Sequence, residues 1–141
     1  MKTLLTAITF FLSLLTFAQS NDTWKVSHNS KVLLRASEEA PDKNVITINR
    51  AALTKTGIFE VSFQQASEKG WERTIMLMNE EDTALKSTKG NTLTLSNITL
   101  RALTKDKQRM MIYTISLPKD PKQRALVRVR RIHRCTIEIK G

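Results

Sequence analysis

Residues 124 to 141 read RALVRVRRIHRCTIEIKG, and apolar side chains take alternate positions at both ends of this stretch. The apolar residues at odd positions are Val127, Val129, Cys135, Ile137 and Ile139. Successive side chains of a β-strand point to opposite faces, so the alternation predicts a long strand over 126–139 with one buried face. The other face of this strand would display several arginines to solvent.

The alternation breaks in the middle of the stretch. Arg131 and His133 take positions that should face inward, and Ile132 takes one that should face outward. A β-bulge or a bend near residues 130–133 would account for this break. The alternative is that Ile132 faces a second small apolar cluster, where the strand passes beyond the core.

Short segments of β character, separated by turns, make up much of the remaining chain. Predicted strands include 24–27, 58–63 and 71–78, and predicted turns include HNSK at 28–31 and NEEDT at 79–83. Several short strands with turn signals at this spacing, and no long amphipathic helix, are typical of an all-β protein. We therefore predict a single immunoglobulin-like β-sandwich of about 7–9 strands, with one or two single-turn helical crossovers.

A four-residue repeat marks the predicted crossovers. Ala-Leu-Thr-Lys occurs at 52–55 and again at 102–105, each time between two β-like segments. Both copies follow residues that favour helix N-caps: Asn49 in the first case, and Ser96 or Asn97 in the second. Each copy is predicted to form one helical turn between the sheets, with Leu53 and Leu103 filling the corners of the sandwich.

The N-terminus has the features of a signal peptide. Lys2 precedes an apolar run over 4–17, and Thr16-Phe17-Ala18 has the pattern of a cleavage site. The run is shorter than the roughly 20 apolar residues of a membrane-spanning helix. We expect residues 1–18 to be removed and 19–141 to form one exported domain, periplasmic or extracellular, with no transmembrane segment. An uncleaved N-terminal anchor is the alternative.

The signal peptide and the strand rhythm are similar to those of small exported bacterial proteins with an immunoglobulin-like sandwich. No motif of a family with a known activity accompanies them. Asn21-Asp-Thr and Asn97-Ile-Thr match the acceptor pattern for N-glycosylation, which matters only in a host that glycosylates exported proteins.

The positive charge of the protein is concentrated near its C-terminus. Residues 101–141 contain twelve Lys or Arg and three Asp or Glu, a net charge of +9, whereas 19–100 contain ten of each sign. Such asymmetry favours a polyanionic partner. The alternative is that the arginines form the outward face of an amphipathic strand and keep the protein soluble.

The candidate polyanion-binding residues are the basic side chains near this end. They are Lys119, Lys122, Arg124, Arg128, Arg130, Arg131 and Arg134. A planar guanidinium can donate two hydrogen bonds to one phosphate or sulfate. Proteins that bind single-stranded nucleic acid stack bases on aromatic rings, and no aromatic residue follows Tyr113. The pattern therefore favours an anionic glycan, a lipid head group or an acidic protein over nucleic acid.

Motifs typical of catalysis and metal binding are missing from the sequence. It has no Gly-rich phosphate loop, and its only candidate metal ligands of the His or Cys type are His28, His133 and Cys135. His133 and Cys135 would share a strand face, but two ligands do not complete a site. We predict that Cys135 is a small buried hydrophobe and that His28 is a solvated turn residue. No catalytic residue, metal or cofactor is predicted.

The predicted function is an exported, non-enzymatic binding module with a basic C-terminal surface for a polyanion or an acidic protein. The first alternative is a structural or accessory protein that pairs with another protein through a sheet edge, with arginines that only confer solubility. A small hydrolase, with a site assembled from scattered carboxylates, is the third possibility.

Overall fold

The computed structural model describes residues 22–141, so the predicted signal peptide lies outside the described residues. The strands in this part of the chain are β1 (Trp24–His28), β2 (Lys31–Ala36), β3 (Val45–Asn49), β4 (Ile58–Phe63), β5 (Trp71–Asn79), β6 (Ala84–Lys89), β7 (Thr92–Ser96), β8 (Arg109–Pro118) and β9 (Ile132–Lys140). The helices are a 3₁₀ helix (Arg50–Thr54), α1 (Asn97–Leu103) and α2 (Pro121–Arg124). None of the helices described is long and apolar enough to cross a membrane.

The strands form two sheets that share one apolar core. The first sheet has the order β2-β1-β4-β7, and the second has the order β3-β9-β8-β5-β6. Neighbouring strands are antiparallel, except that β3 and β9 run parallel. Side chains from both sheets are fully buried in the core, among them Trp24, Phe59, Leu93, Ile75 and Ile112. The fold is therefore all-β and sandwich-like, as the strand rhythm predicted.

The first two strands form the hairpin that the sequence predicts. Two residues, Asn29 and Ser30, connect β1 to β2, and both have positive φ angles, 52° and 67°. Two-residue hairpin loops of this kind match the right-handed twist of the strands, and Asn accepts the left-handed conformation more readily than most residues. The predicted turn at 28–31 is confirmed.

Both copies of Ala-Leu-Thr-Lys lie at crossovers between the sheets, as predicted. The prediction of a single helical turn is wrong for the second copy, because α1 has seven residues and ends at Leu103. The 3₁₀ helix joins β3 to β4, and α1 joins β7 to β8. Asn49 Oδ1 accepts a hydrogen bond from the Ala51 N–H at 2.9 Å. Ser96 Oγ accepts one from the Thr99 N–H at 3.1 Å. Each helix therefore begins at a side chain that satisfies one of its free N–H groups.

The two crossovers fill the core with different leucines. Leu53 of the 3₁₀ helix is buried, as predicted, but Leu103 is only half-buried. Leu100 takes the buried place in the second crossover. The difference arises because the second copy continues a longer α-helix, whose inward face passes through the residue about one turn earlier.

The predicted strand over 126–139 is wrong in its first half. β9 begins only at Ile132, and the preceding residues form α2 and an irregular stretch over 125–131. The pairing of β8 with β9 stops at Thr114 and Ile132, so residues before 132 have no neighbouring strand in that sheet. Val129, predicted to face inward, is exposed. Alternation in sequence creates a strand only where a partner strand accepts its hydrogen bonds.

A β-bulge at Arg134 accounts for the broken alternation. Ile112 of β8 pairs with Cys135, and the next residue, Tyr113, pairs with His133. Arg134 is therefore the extra residue on β9, just beyond the predicted position of the bulge. Because paired residues point to the same face, His133 lies with Tyr113 on the outer face and Cys135 lies with Ile112 in the core. The expectation that His133 and Cys135 share a face is wrong.

Cys135 is a buried residue of the core, as predicted. Its side chain is inaccessible to solvent, and it forms no disulfide in the described part of the chain. Burial raises the pKa of the Cys135 thiol to about 12. A thiol with so high a pKa is protonated at neutral pH, so Cys135 acts as a small apolar side chain.

The two leucines at matching positions of the repeat should differ in their contribution to stability. Leu53→Ala removes a fully buried side chain and should lower the free energy of unfolding by about 2–5 kcal/mol. Leu103→Ala removes a half-buried side chain and should cost about 1 kcal/mol. Urea titration followed by circular dichroism measures the free energy of unfolding of both variants. Equal losses would contradict the finding that Leu53 is fully buried at its crossover and Leu103 is not.

Candidate functional site: an exposed basic segment beside a buried arginine cluster

Six of the seven predicted binding residues lie together in one exposed segment. We call residues 119–131, which connect β8 to β9 and contain α2, the basic segment. Its predicted binding residues, all of them exposed, are Lys119, Lys122, Arg124, Arg128, Arg130 and Arg131. The seventh, Arg134, lies beyond the segment, and its side chain is only 5% exposed. The fold therefore does not place Arg134 on the surface with the others.

Arg134 extends into one end of the sandwich, because the bulge directs it inward. Its Nε donates to Thr114 Oγ1 at 2.8 Å, and its Nη2 donates to Asp22 Oδ2 at 3.2 Å. The guanidinium carbon lies 4.6 Å from the centroid of the Trp24 ring. Burial lowers the pKa of Arg134, and the carboxylate of Asp22 opposes this effect. An arginine remains charged even so, and here its charge is held inside the fold.

Arg73 of β5 is a second buried arginine and binds the same carboxylate. Its Nη2 donates to Asp22 Oδ1 at 2.9 Å. Its Nη1 donates to the Gln65 carbonyl at 3.0 Å and to Asn91 Oδ1 at 2.9 Å. The Arg73 side chain is 3% exposed. Contacts to three separate parts of the chain thus hold this guanidinium in place.

We call Asp22, Arg73 and Arg134 the arginine cluster. The two guanidinium carbons lie 4.2 Å and 5.1 Å from the centroid of the Phe63 ring, whose face attracts cations. Most of the buried donors have acceptors, but Arg73 Nε has no hydrogen-bond partner among the described residues. Because each oxygen of Asp22 binds a different arginine, the cluster connects β5, β9 and the residues that precede β1.

The sequence contained a signal for one member of the cluster. Arg73, Ile75 and Leu77 have the same parity in β5, and all three are buried. An inward-facing Arg73 could therefore have been predicted from the alternation. Asp22 offers no comparable signal, since its partners lie 51 and 112 residues away in the sequence.

Two arginines of the basic segment bind carboxylates of neighbouring loops. Arg130 Nη2 lies 2.5 Å from Glu39 Oε2, and Arg131 Nη1 lies 2.6 Å from Asp82 Oδ1. The guanidinium of Arg131 also lies over the Tyr113 ring, 4.5 Å from its centroid. These contacts hold the C-terminal end of the basic segment against the outer face of the five-stranded sheet.

The other four cations of the basic segment have no ion-pair partner within residues 22–141. They are Lys119, Lys122, Arg124 and Arg128. Arg124 Nε donates to the Pro118 carbonyl at 2.6 Å, which fixes that side chain near the start of the segment. Two large apolar side chains lie among these cations, Leu126 at 85% exposure and Val129 at 53%. The segment thus presents both charge and apolar surface to solvent.

Two clefts lie near the basic segment, but only the first has a residue of the segment, Lys119, in its lining. The first has a volume of about 420 Å³, and its charged lining residues are Glu68, Lys69, Glu72, Arg73, Lys89 and Lys119. The second, of about 400 Å³, lies against the arginine cluster, with Trp71 and Ser116 in its lining. Because carboxylates line both clefts together with the cations, neither cleft is as basic as the segment itself.

His133 lies on the outer face of the five-stranded sheet, beneath the loops that hold the basic segment. Its Nε2 is 2.8 Å from Thr136 Oγ1, and its ring meets the Tyr113 ring edge-on at 5.5 Å. Its Nδ1 is buried without a hydrogen-bond partner among the described residues. Burial lowers the pKa of His133, and the nearby Glu39 opposes this effect. The native fold therefore favours the neutral imidazole.

Glu39 connects His133 to the basic segment. Its Oε1 accepts a hydrogen bond from the backbone N–H of His133 at 3.0 Å, while its Oε2 binds Arg130. Burial acts to raise the pKa of Glu39, but the His133 N–H and the Arg130 guanidinium outweigh it, so the pKa is lowered. The carboxylate is thus held in its charged form.

The other histidine and the second glycosylation pattern belong to one buried network. His28 Nε2 and Asn97 Oδ1 are 2.9 Å apart, and Asn97 Nδ2 donates to the Lys55 carbonyl at 2.9 Å. The expectation that His28 is solvated is therefore wrong, and Asn97 is not accessible as a glycosylation acceptor in the folded protein; Asn21 lies outside the described residues. Residues 22–141 contain no group of three or more His, Cys, Asp or Glu side chains that could hold a metal ion.

Asp22→Asn should destabilise the protein far more than the removal of an exposed carboxylate. The variant leaves Arg73 and Arg134 buried without a counter-charge, which should cost about 3 kcal/mol of unfolding free energy. The matched control is Asp82→Asn, which breaks an exposed ion pair and should cost less than about 1 kcal/mol. Asn also tolerates the positive φ of residue 82, 63°. Similar losses in urea titrations of both variants would contradict the role of Asp22.

Stability should fall as the pH is lowered from about 7 to about 5, in part because of His133. The pKa of His133 is lowered in the native state, so below the ordinary value of about 6.5 the unfolded state binds more protons than the native state. Above that value, neutral His133 therefore makes its full contribution to the free energy of unfolding. That contribution is lost as the pH falls through the native pKa. Melting temperatures over this range should decline less steeply for His133→Gln. If the melting temperature of His133→Gln declines with pH as steeply as that of the unaltered protein, His133 is not a source of the pH dependence.

No protein-family model matches this chain, and neither a curated protein nor a solved structure matches it. Within residues 22–141, the basic segment combines exposed side chains with a net positive charge.

Proposed function

We propose that this protein is an exported, non-enzymatic binding module that holds a polyanionic partner on its basic segment. The observation that carries the proposal is that residues 119–131 leave the sheet and expose nearly every side chain. A stretch that served only as the solvated face of a strand would pair with a neighbouring strand, whereas this one has none. Exposed connections on a rigid scaffold are the usual location of binding residues.

The charge of the basic segment supports an anionic partner. It contains six Lys or Arg and one acidic residue, Asp120. Two of the cations, Arg130 and Arg131, are engaged by Glu39 and Asp82, and these pairs position the segment. The four remaining cations lie within one short stretch, where an anion can approach several of them at once. Arginine among them favours phosphate or sulfate, through paired hydrogen bonds from its planar fork.

We also propose that the sandwich is of the immunoglobulin-like type. Such sandwiches place strands A, B, E and D in one sheet and strands C, F and G in the other, with C′ beside C in variable-type domains. The orders β1-β4-β7 and β6-β5-β8-β9 match A-B-E and C′-C-F-G. The edge strands β2 and β3 are additions, and no strand within residues 22–141 takes the place of D. In variable-type domains the B–C and F–G loops bind ligands. Residues 64–70 and the basic segment take those places here, which supports binding at this end by analogy of fold alone.

An uncharged edge strand favours a second candidate function, the pairing of a sheet edge with another protein. β7 lies at the edge of its sheet and contains no charged residue, although exposed edges usually carry charges that prevent such pairing. Two exposed apolar residues lie near its end, Ile58 at 53% and Ile98 at 78%. Association through this edge would depend little on salt.

The third candidate, a small hydrolase, has less support. A carboxyl group that acts as a general acid needs a raised pKa. The hydrogen bond from Lys89 lowers the pKa of Glu72, and that of Glu39 is also lowered. These carboxyl groups therefore have the properties of ion-pair partners.

Salt-gradient elution from heparin and from a plain sulfonate resin tests the proposal. The protein beginning at residue 19 should leave heparin at clearly higher salt than the sulfonate resin. A variant with Lys119, Lys122 and Arg128 changed to Gln should lose this margin, the difference in eluting salt concentration between the two resins, because it lacks three exposed cations of the basic segment. Arg134 is left unchanged because it is buried in the arginine cluster.

A matched variant controls for the loss of net charge. Lys31, Arg35 and Lys86 are exposed on edge strands outside the basic segment, and changing all three to Gln alters the net charge equally. This control should keep most of the margin between the two resins. If both variants lose it equally, or if the unaltered protein shows no margin, the basic segment is not an organised polyanion site.

A further inference from the structure

We infer that the polyanionic partner is the surface of an anionic lipid bilayer, with Leu126 and Val129 entering the head-group region. The inference rests on the proposed function and specifies its ligand. Peripheral proteins bind such surfaces when basic residues and exposed apolar residues occur on the same face. The basic segment combines both features in one short stretch.

The apolar side chains distinguish a lipid surface from a sulfated glycan. Leu126 is 85% exposed and Val129 is 53% exposed, and cations at 124, 128 and 130 alternate closely with them. A glycan chain offers sulfates to the cations but little for a leucine to pack against. A bilayer offers phosphates at its surface and acyl chains immediately below them. Of these two ligands, only the bilayer therefore explains why both kinds of side chain are exposed together.

The contacts at the two ends of the basic segment prepare it for this role. Asp120 Oδ1 accepts a hydrogen bond from the Lys122 N–H at 3.0 Å and caps α2. At the other end, Arg130 and Arg131 are held by their ion pairs with the neighbouring loops. Leu126 and Val129 lie between these fixed points, so binding orders few additional residues.

The backbone of the segment limits how deep it can enter. Residues 125–131 belong to no helix or strand. Backbone N–H and C=O groups without partners are too costly to place in the hydrocarbon core. Water and lipid phosphates can satisfy them at head-group depth, where the four unpaired cations would also meet the phosphates. The segment therefore fits the bilayer surface and does not span it.

Centrifugation with vesicles tests the inference. The unaltered protein should pellet with vesicles of equimolar phosphatidylcholine and phosphatidylglycerol, and should remain in solution with vesicles of phosphatidylcholine alone. The double variant Leu126→Ser and Val129→Ser keeps every charge, and should bind the anionic vesicles about tenfold more weakly. Its elution from heparin should be unchanged. Both side chains are exposed, so the substitutions should not affect folding.

The matched control is Ile98→Ser, which removes another exposed apolar side chain, 78% exposed, from helix α1. It should bind anionic vesicles as the unaltered protein does. If the protein binds heparin but not vesicles, the lipid inference is wrong and an anionic glycan or an acidic protein is the partner. If it binds neither, the proposed function fails as well. Equal vesicle binding by the unaltered protein and the double variant would overturn the entry of Leu126 and Val129.

Discussion

The carboxylate of Asp22 is the constraint on which one end of this sandwich depends. It binds Arg73 with one oxygen and Arg134 with the other, and both guanidiniums also lie against aromatic rings. Two buried cations with no counter-charge would be very costly, because charges lose their hydration inside a protein. Asp22 makes this arrangement possible. It also fixes the residues before β1, a strand of the four-stranded sheet, against β5 and β9 of the five-stranded sheet.

Arg134, whose side chain points inward, lies just after the exposed basic segment. The bulge gives β9 one extra residue, directs Arg134 toward Asp22, and places His133 on the outer face. The sheet pairing ends two residues earlier, at Ile132, so the chain before it runs outside the sheet. A buried arginine and the end of an exposed loop thus lie within three residues of each other. Bulges are over-represented at sheet edges, where they redirect a side chain or end the pairing.

The sequence predicted the elements of this fold better than it predicted the candidate site. Strand alternation and turn residues identified the all-β class, the hairpin at 28–31 and both crossovers, since these depend on neighbouring residues. The prediction for Leu103 was only partly right, because it packs against the core while the longer helix buries Leu100 fully. The prediction for the first half of the last strand was wrong, because those residues have no partner strand. Six predicted basic residues do share one exposed segment, whereas Arg134 does not.

The sequence alone determined the local features of the protein. These are the segments in which apolar and polar residues alternate, the helix N-caps at Asn49 and Ser96, and the accumulation of positive charge near the C-terminus. These properties follow from residues a few positions apart, or from composition. Only the tertiary structure decided which cations are exposed and which are buried. Arg134 and Arg128 are the same residue type in the same stretch, yet one is buried against a carboxylate 112 residues away and the other is exposed. Burial and ion pairing depend on contacts between distant parts of the chain, and local pattern does not encode them.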